Sequence, residues 1–283
     1  MKKTICLWAL LLIVVSCTND DNYNDEHGDK AVIPPKGRII RIMTYNIYGA
    51  RATSPANAAD LDALAEVIRR QDPDFVTLNE VDVFTNRTGK DVHQARDLAA
   101  KLGMEWHFSK AIDRDGGEYG EGVTTRKKAV NKFSVALPKG VGAEPRVLVV
   151  MEMEDYVICT SHLDHVSSEA QLGQVELITK TMKERYGDSG KPVFLGGDMN
   201  ATPSSETGKL LQKDWEILTI TGFGTFPSDN PSKCIDYIMQ LKGTPKCEVV
   251  GSQILRWFKS GDVTKASDHL PVMLDIKLPA KNK

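Results

Sequence analysis

The apolar positions of this chain change period several times, and each change marks an element. Residues 38–46 hold Ile39, Ile40, Ile42, Met43 and Tyr45, a density of β-formers that predicts a strand. Ser54-Pro55 follows, a capping hydroxyl before a proline, and predicts a helix start. Leu61, Leu64, Val67 and Ile68 then recur at helical spacing until Asp72-Pro73-Asp74 stops them. Residues 75–80 predict the next strand, and a short helix carrying Leu98 and Leu102 ends at Gly103. The glycine-rich stretch 116–122 reads as a loop. Strands are predicted near 133–137, 146–153 and 156–162. Ser168 predicts the cap of a helix whose one face carries Leu172, Val175, Ile178 and Met182, ending at Gly187. Residues 192–198 predict a strand, Leu210, Leu211 and Trp215 a short helix, and 235–239, 252–258 and 272–278 further strands. Many strands and few helices, with no repeat and no linker, predict one α/β domain over residues 36–283, two sheets faced by outer helices.

The first sixteen residues stand apart. Lys2-Lys3 precede an apolar run from Ile5 to Val15, too short to span a bilayer, and Ser16 precedes Cys17. This pattern predicts a secretory signal. Val14-Val15-Ser16-Cys17 also resembles the bacterial lipoprotein box, which implies cleavage before Cys17 and lipidation of that residue. Several acyl chains on one cysteine would anchor the protein stably to a membrane. Residues 17–35 carry Asp20, Asp21, Asp25, Glu26 and Asp29 against Lys30, without apolar period, and close on Pro34-Pro35. They predict an acidic tether. The acidic run resembles a surface-export signal of bacterial lipoproteins, and a plain solvated linker is the other reading. The chain thus divides into a signal (1–16), a lipidated tether (17–35) and a body (36–283), and is expected on a bacterial membrane.

Composition narrows the class only by exclusion. In 283 residues, 41% hydrophobic and 26% charged positions are ordinary for a globular protein, and rule out collagen-like or disordered chains. The formal net charge of −2 shows no basic excess for a nucleic acid. Divided by segment, the signal holds two lysines and the tether a net −4, so the body sums to zero. A polyanion is therefore not steered from a distance, and a substrate phosphate must be held locally. Arg126-Lys127-Lys128 reads as a solvated turn rather than a groove contact. Of five cysteines, Cys159, Cys234 and Cys247 fall in the body, allowing at most one internal disulfide and matching no zinc spacing.

The candidate chemistry gathers where predicted strands end. Asn46, Glu80, His162, and Asp198 with Asn200 close four of them, Asp268-His269 precedes the last, and Asp236 interrupts Ile235-Asp236-Tyr237-Ile238. Singly each has a bland explanation: Asn46 a turn, Glu80 a cap or lysine pair, Asp236 a buried hydrogen-bonded acid. Together, carboxylate and amide oxygens suit a hard cation such as Mg2+ or Mn2+. Nearby imidazoles suit phosphate contact or proton transfer. A metal, a base and anion-binding groups are what attack on a phosphoryl centre requires.

Six segments carry a resemblance. Met43-Thr44-Tyr45-Asn46-Ile47, Leu78-Asn79-Glu80-Val81-Asp82, Thr160-Ser161-His162-Leu163-Asp164-His165, Gly196-Gly197-Asp198-Met199-Asn200, Ile235-Asp236-Tyr237-Ile238 and Ser267-Asp268-His269-Leu270-Pro271 stand in the order of the endonuclease/exonuclease/phosphatase superfamily. The resemblance implies a four-layer α/β sandwich, two mainly antiparallel sheets flanked by helices, with the site at one sheet edge. It implies a divalent metal held by Glu80 with Asn46 and Asp268, and Asp198 as the base that activates water. It implies that Asn200 and His162 contact the phosphoryl group or the water, and that Asp236 pairs with His269. Such a His269 is expected to stay cationic, and Asp198 to stay ionised at neutral pH.

Arg87, in Thr85-Asn86-Arg87-Thr88-Gly89-Lys90, resembles a loop of the family's bacterial branch and either forks onto a substrate phosphate or is solvated. The chain departs from that branch at Glu121, Gln171 and Cys234, where asparagine, arginine and arginine are common. Glu121 would then disfavour highly charged substrates or point to solvent. The expected activity is metal-dependent phosphoester hydrolysis, on a phospholipid headgroup, a sugar or inositol phosphate or, less favoured, a nucleic acid, by a monomer. The alternative is a non-catalytic surface lipoprotein that binds a phosphate ligand on the same scaffold.

Overall fold

A computed structural model of the chain describes residues 38–51, 59–256 and 263–280. The signal, Cys17, the acidic tether and the Ser54-Pro55 helix start lie outside the described residues. Among the described residues no helix is long and apolar enough to cross a membrane.

The elements run β1 (Ile39–Asn46), α1 (Leu61–Gln71), β2 (Phe75–Val83), α2 (Gln94–Leu102), β3 (Glu105–Arg114), β4 (Gly117–Thr125), β5 (Asn131–Ala136), β6 (Val147–Glu152) and β7 (Val157–Thr160). Then follow α3 (Ser168–Tyr186), β8 (Val193–Asp198), α4 (Glu206–Asp214), β9 (Trp215–Ile217), β10 (Asp236–Leu241), β11 (Glu248–Ile254), α5 (Val263–Ala266) and β12 (Val272–Lys277). They form two six-stranded sheets, ordered β11-β12-β1-β2-β4-β3 and β5-β6-β7-β8-β10-β9. Each sheet has one parallel pair, β1 with β2 and β7 with β8, and is otherwise antiparallel.

Three apolar cores separate four layers. One packs α1, α2 and α5 on the first sheet, the second packs α3 and α4 on the other sheet, and the third fills the space between sheets. Strand alternation assigns side chains to these cores. On β1, Met43 and Tyr45 face the helices, while Ile40 and Ile42 face the opposite sheet. Thr44 and Asn46 continue that inner row, so the row turns polar toward the end of the strand. The same happens on β2, where Phe75 is followed by Thr77 and Asn79, and on β8, where Phe194 is followed by Gly196 and Asp198. The inter-sheet space is therefore apolar at one end and polar at the other.

Local chemistry sets the boundaries. The Asp60 carboxylate caps α1 by accepting from the Ala63 N–H at 3.0 Å, and Asp72, in the left-handed conformation, ends it before Pro73. Ser167 rather than Ser168 caps α3, its hydroxyl accepting from the Ala170 N–H at 3.1 Å. Trp215 begins β9 instead of closing α4. The strand expected over 252–258 begins earlier, at Glu248.

The stretch expected as a glycine-rich loop is most of β4, in a hairpin with β3. Its glycines answer close backbone approach: a Cβ at Gly120 would lie 2.1 Å from the Ser109 carbonyl oxygen. Glu80 does not end β2. The strand continues to Val83 through an irregularity between Leu78 and Val81, where Glu80 takes φ +58°.

Gly197 precedes Asp198 at φ +152°, and a Cβ there would meet the Ser161 carbonyl oxygen at 2.1 Å. No side chain can yield to relieve that contact. Gly197→Ala is expected to lower folding stability by about 1–3 kcal/mol in urea denaturation, the range for overpacking; an unchanged midpoint and slope would contradict the close approach.

Candidate active site

The polar ends of the inner rows converge on Asp198. Register places Asp236, first residue of β10, opposite Asp198, last residue of β8. Asp198 is buried and accepts two hydrogen bonds, from the Asn46 amide at 3.0 Å on Oδ2 and from the Asn200 N–H at 2.8 Å on Oδ1, with two imidazoles nearby. His162 Nε2 lies 3.4 Å and His269 Nε2 3.6 Å from Asp198 Oδ2. Burial, reinforced by Asp236, pushes Asp198 up to about 7, while His269 and the donors pull the other way. The carboxylate expected to be fully ionised at neutral pH is thus poised near it.

His269 is a cation held between acids. Its Nδ1 lies 2.9 Å from Asp236 Oδ2. Burial alone would lower its pKa, but Asp236 and Asp198 outweigh it and raise it to about 10. The 225–235 loop orients the pair. The Thr225 hydroxyl donates to Asp236 Oδ2 at 2.6 Å, and the Phe226 ring packs 4.7 Å from the His269 ring. Asp198, Asp236 and His269 place three ligand atoms within 4.8 Å of one another, close enough to hold a metal ion. A protonated imidazole has no lone pair to give one, so the trio reads as an acid–imidazolium–acid array.

A better home for a hard cation lies beside it. Glu80 Oε1 accepts from the Asn46 amide at 3.1 Å. Asp268 keeps a buried Oδ1 with no hydrogen-bond partner. Burial raises Asp268 to about 6; Glu80 and Asp236 add to this, and His269 opposes it. An orphaned buried oxygen and two mutually repelling carboxylates fit a divalent cation. Asn46 turns its nitrogen to Glu80 because its Oδ1 accepts from the Tyr48 N–H at 3.0 Å, so here it orients Glu80. Backbone strain collects at the same place: Tyr48, Ala50, Glu80 and Asn200 all have φ between 45° and 58°.

Other expected residues fall as follows. Asn200 commits an amide hydrogen to the Leu163 carbonyl at 3.0 Å, which fixes its side chain beside the base. Arg87 is neither solvated nor free. It forks onto the fully buried Asp82 with both contacts at 2.7 Å, while its side chain still lines the cleft. Glu121 is fully buried within β4, does not reach solvent and does not line the cleft. Gln171, one of the departures, ties the Asp164 and Asn200 carbonyls at 2.6 and 3.2 Å. Cys159, Cys234 and Cys247 are free, buried thiols.

Three participants had no role in the sequence reading. Asn79 joins the sheets: its Oδ1 accepts from the Asp198 N–H at 2.9 Å and its Nδ2 donates to Glu121 Oε2 at 2.5 Å. Arg146 lies buried against His162 and His165. Tyr119 forms a wall under Arg114 and Arg87. A polar residue inside an otherwise apolar strand run is the signal that could have flagged Asn79. A cation opening the run Val147-Leu148-Val149-Val150 could have flagged Arg146. The cleft at these groups encloses about 410 Å³ and is lined by Arg51, Arg87, Arg114 and Arg146 together with Glu80, Glu144, Asp198 and Asp268.

Glu121 supplies a stability test. Burial raises its pKa to about 8, opposed by the Asn79 hydrogen bond and Arg146. The folded protein therefore favours the protonated form, and this contribution is complete below the ordinary carboxyl range and fades as pH rises through about 8. Glu121→Gln, which cannot ionise, is expected to gain melting temperature relative to the parent as pH rises from 5 to 8. A pH-independent difference would contradict a neutral buried Glu121.

Residues 43–269 match the family model described as the endonuclease/exonuclease/phosphatase family. An endonuclease/exonuclease/phosphatase structure from Bacteroides vulgatus is 21% identical, with a TM-score of 0.66 over 86% of this chain and 100% of that one. A mannosyl-6-phosphatase from Bacteroides thetaiotaomicron VPI-5482 is 19% identical, with a TM-score of 0.65 over 84% of this chain and 99% of that one. TDP2 of D. rerio, complexed with a single-strand DNA product, is 18% identical, with a TM-score of 0.63 over 84% and 98%. At these identities the likeness is one of fold. No curated protein matches the sequence.

Proposed function

The chain belongs to the endonuclease/exonuclease/phosphatase family, and from that premise we propose that it is a divalent-metal-dependent hydrolase of small phosphoesters, with Asp198 as the base. The observation that carries this reading is the convergence on one buried carboxylate of a cationic His269, a neutral His162 and the Asn46 amide, beside the orphaned oxygen of Asp268.

Each residue has a step its chemistry suits. Asp198 takes the proton of the attacking water, its carboxylate held in line by the Asn200 N–H and Asn46. His269, kept charged by Asp236, offers its Nε2–H to a phosphoryl oxygen and strengthens that contact as charge grows there. His162 adds a neutral N–H beside it. Glu80 and Asp268 would hold Mg2+ or Mn2+, with Asn46 orienting Glu80; a cation so held offsets charge on the phosphoryl or leaving oxygen.

The cleft favours a sugar or inositol phosphate over a nucleic acid. Its aromatic faces are already covered: the Arg51 guanidinium stands 4.2 Å from the Tyr48 ring centre, and Arg114 4.7 Å from that of Tyr119. Bases bind by stacking on such faces, whereas guanidinium forks suit hydroxyls and phosphates. The mannosyl-6-phosphatase and the DNA-bound TDP2 share this fold and stand on opposite sides of that choice.

Two outcomes are expected. Bis-p-nitrophenyl phosphate, or a panel of sugar and inositol phosphates, sphingomyelin and DNA, is hydrolysed with Mg2+ or Mn2+ and not with EDTA. Glu80→Ala, Asp198→Ala and His269→Ala keep the parent circular dichroism and lose at least about 100-fold in rate, as removal of an acid–base group does. Full activity in all three would overturn the assignment, and binding without turnover by the parent would favour a non-catalytic role.

The pH profile of kcat/KM gives a further test. Asp198 must be ionised, so activity rises with pH through about 7, and His269 must be charged, so it falls near 10. The two limbs belong to the coupled array rather than to single residues. Asp236→Asn removes the charge that most raises His269 and is expected to move the alkaline limb to lower pH. An unmoved limb would break the link between Asp236 and His269.

A further inference from the structure

Arg146 is an unusual residue to find under this site. Its side chain is 1% exposed, and its carboxylate contact, Glu144, stands off at 3.7 Å. Instead Nη1 donates to His162 Nδ1 at 3.2 Å and Nη2 donates to His165 Nδ1 at 3.1 Å. A guanidinium has donors only, so both ring nitrogens must offer lone pairs. A neutral imidazole with Nδ1 as acceptor carries its proton on Nε2, and on His162 that nitrogen faces Asp198 Oδ2 at 3.4 Å.

We propose that Arg146 is a positioning residue that fixes His162 and His165 in the Nε2–H tautomer, and so makes His162 a neutral donor to the phosphoryl group rather than a second base. The role of His162 in turnover rests on the hydrolase reading above; the tautomer does not. Three features support it. Proton gain at His162 Nδ1 would set an N–H against the Arg146 N–H in a buried position, so the fork disfavours the cationic form. Burial, then Arg146 and His269, hold His162 well below the ordinary histidine range. The fork also has a shape that lysine lacks, since it reaches two rings with two nitrogens at once.

The arrangement divides labour between two histidines that face the same carboxylate oxygen. His269, between Asp236 and Asp198, brings positive charge to the phosphate. His162, behind Arg146, brings a hydrogen bond without a second charge, and leaves the base role to Asp198 alone. With His162 able to accept a proton from water, the site would hold two competing bases; Arg146 removes that competition.

The test uses full-length protein labelled with nitrogen-15 and long-range proton–nitrogen NMR of the histidine rings, with His162→Gln and His165→Gln to assign signals. The parent is expected to show both rings protonated at Nε2 and bare at Nδ1. Arg146→Met is expected to lose that fixed pattern at His162 and to lower kcat by about 10–100-fold with KM little changed, the scale for removing a supporting hydrogen bond. Arg146→Lys is expected to recover part of the rate. A proton on His162 Nδ1 in the parent overturns the proposal, as does Arg146→Met retaining both the Nε2–H pattern and kcat. Should Arg146→Met fail to fold, the parent spectrum and Arg146→Lys still decide. If the parent hydrolyses no phosphoester yet shows the expected rings, the hydrolase reading fails and the placement of Arg146 stands.

Discussion

Everything at this site depends on one amide that belongs to both sheets. Asn79 rises from β2, accepts the backbone N–H of Asp198 from the facing sheet and donates to Glu121 of its own. Apolar packing holds the sheets together at the Ile40, Ile42 and Phe194 end. At the other end the inner rows are Thr, Asn, Gly, Asp and Glu, which gain nothing from contact unless they bond. Asn79 meets that need with a hydrogen bond that crosses the gap at the residue proposed as the base. The position of Asp198 is thereby tied to the first sheet, where Glu80 and Asn46 stand, as well as to its own, where Asp236 stands. Two sheets with separate helical cores can then share one site.

The electrostatics follow from the same enclosure. Asp198, Asp236 and Glu121 are almost wholly buried, so each negative charge must find a donor or a proton. Asp236 finds Thr225 and His269, Asp198 finds the Asn46 amide and the Asn200 N–H, and burial pushes Glu121 toward its protonated form. Arg146 enters the same region, and its hydrogen bonds go to two imidazoles while Glu144 stands 3.7 Å away. The body sums to zero charge, and the cleft mixes signs locally, with four arginines and His269 set among four acids. Such a rim holds a substrate by placed contacts, not by a general field.

Much of this was legible in the sequence, for a definable reason. Strand-end residues such as Asn46 and Asp198 lie where an apolar run stops, and a run that stops on a carboxylate or amide is visible without a structure. The layer order was legible too, because Leu61, Leu64 and Ile68 or Val175, Ile178 and Met182 mark one-sided helices. Two kinds of feature were not. Gly117, Gly120 and Gly122 read as a loop because glycine signals both turns and close backbone approach, and only the pairing of β3 with β4 tells which. Arg87, Glu121 and Arg146 depend on partners remote in sequence or on burial: Asp82 is near Arg87, but its burial is not written in the motif, and His162 lies two strands and a turn from Arg146. Ser167 took the cap expected of Ser168 because the two hydroxyls differ only in backbone geometry.

The proposed hydrolysis requires that water, deprotonated at Asp198, attack phosphorus. Hydrolysis of a phosphoester in water carrying a heavy oxygen isotope, followed by mass spectrometry of both products, tests this directly. One labelled oxygen in the phosphate product and none in the released alcohol is the predicted result, with Asp198→Asn abolishing incorporation. Label in the alcohol, or unchanged incorporation in Asp198→Asn, would contradict it.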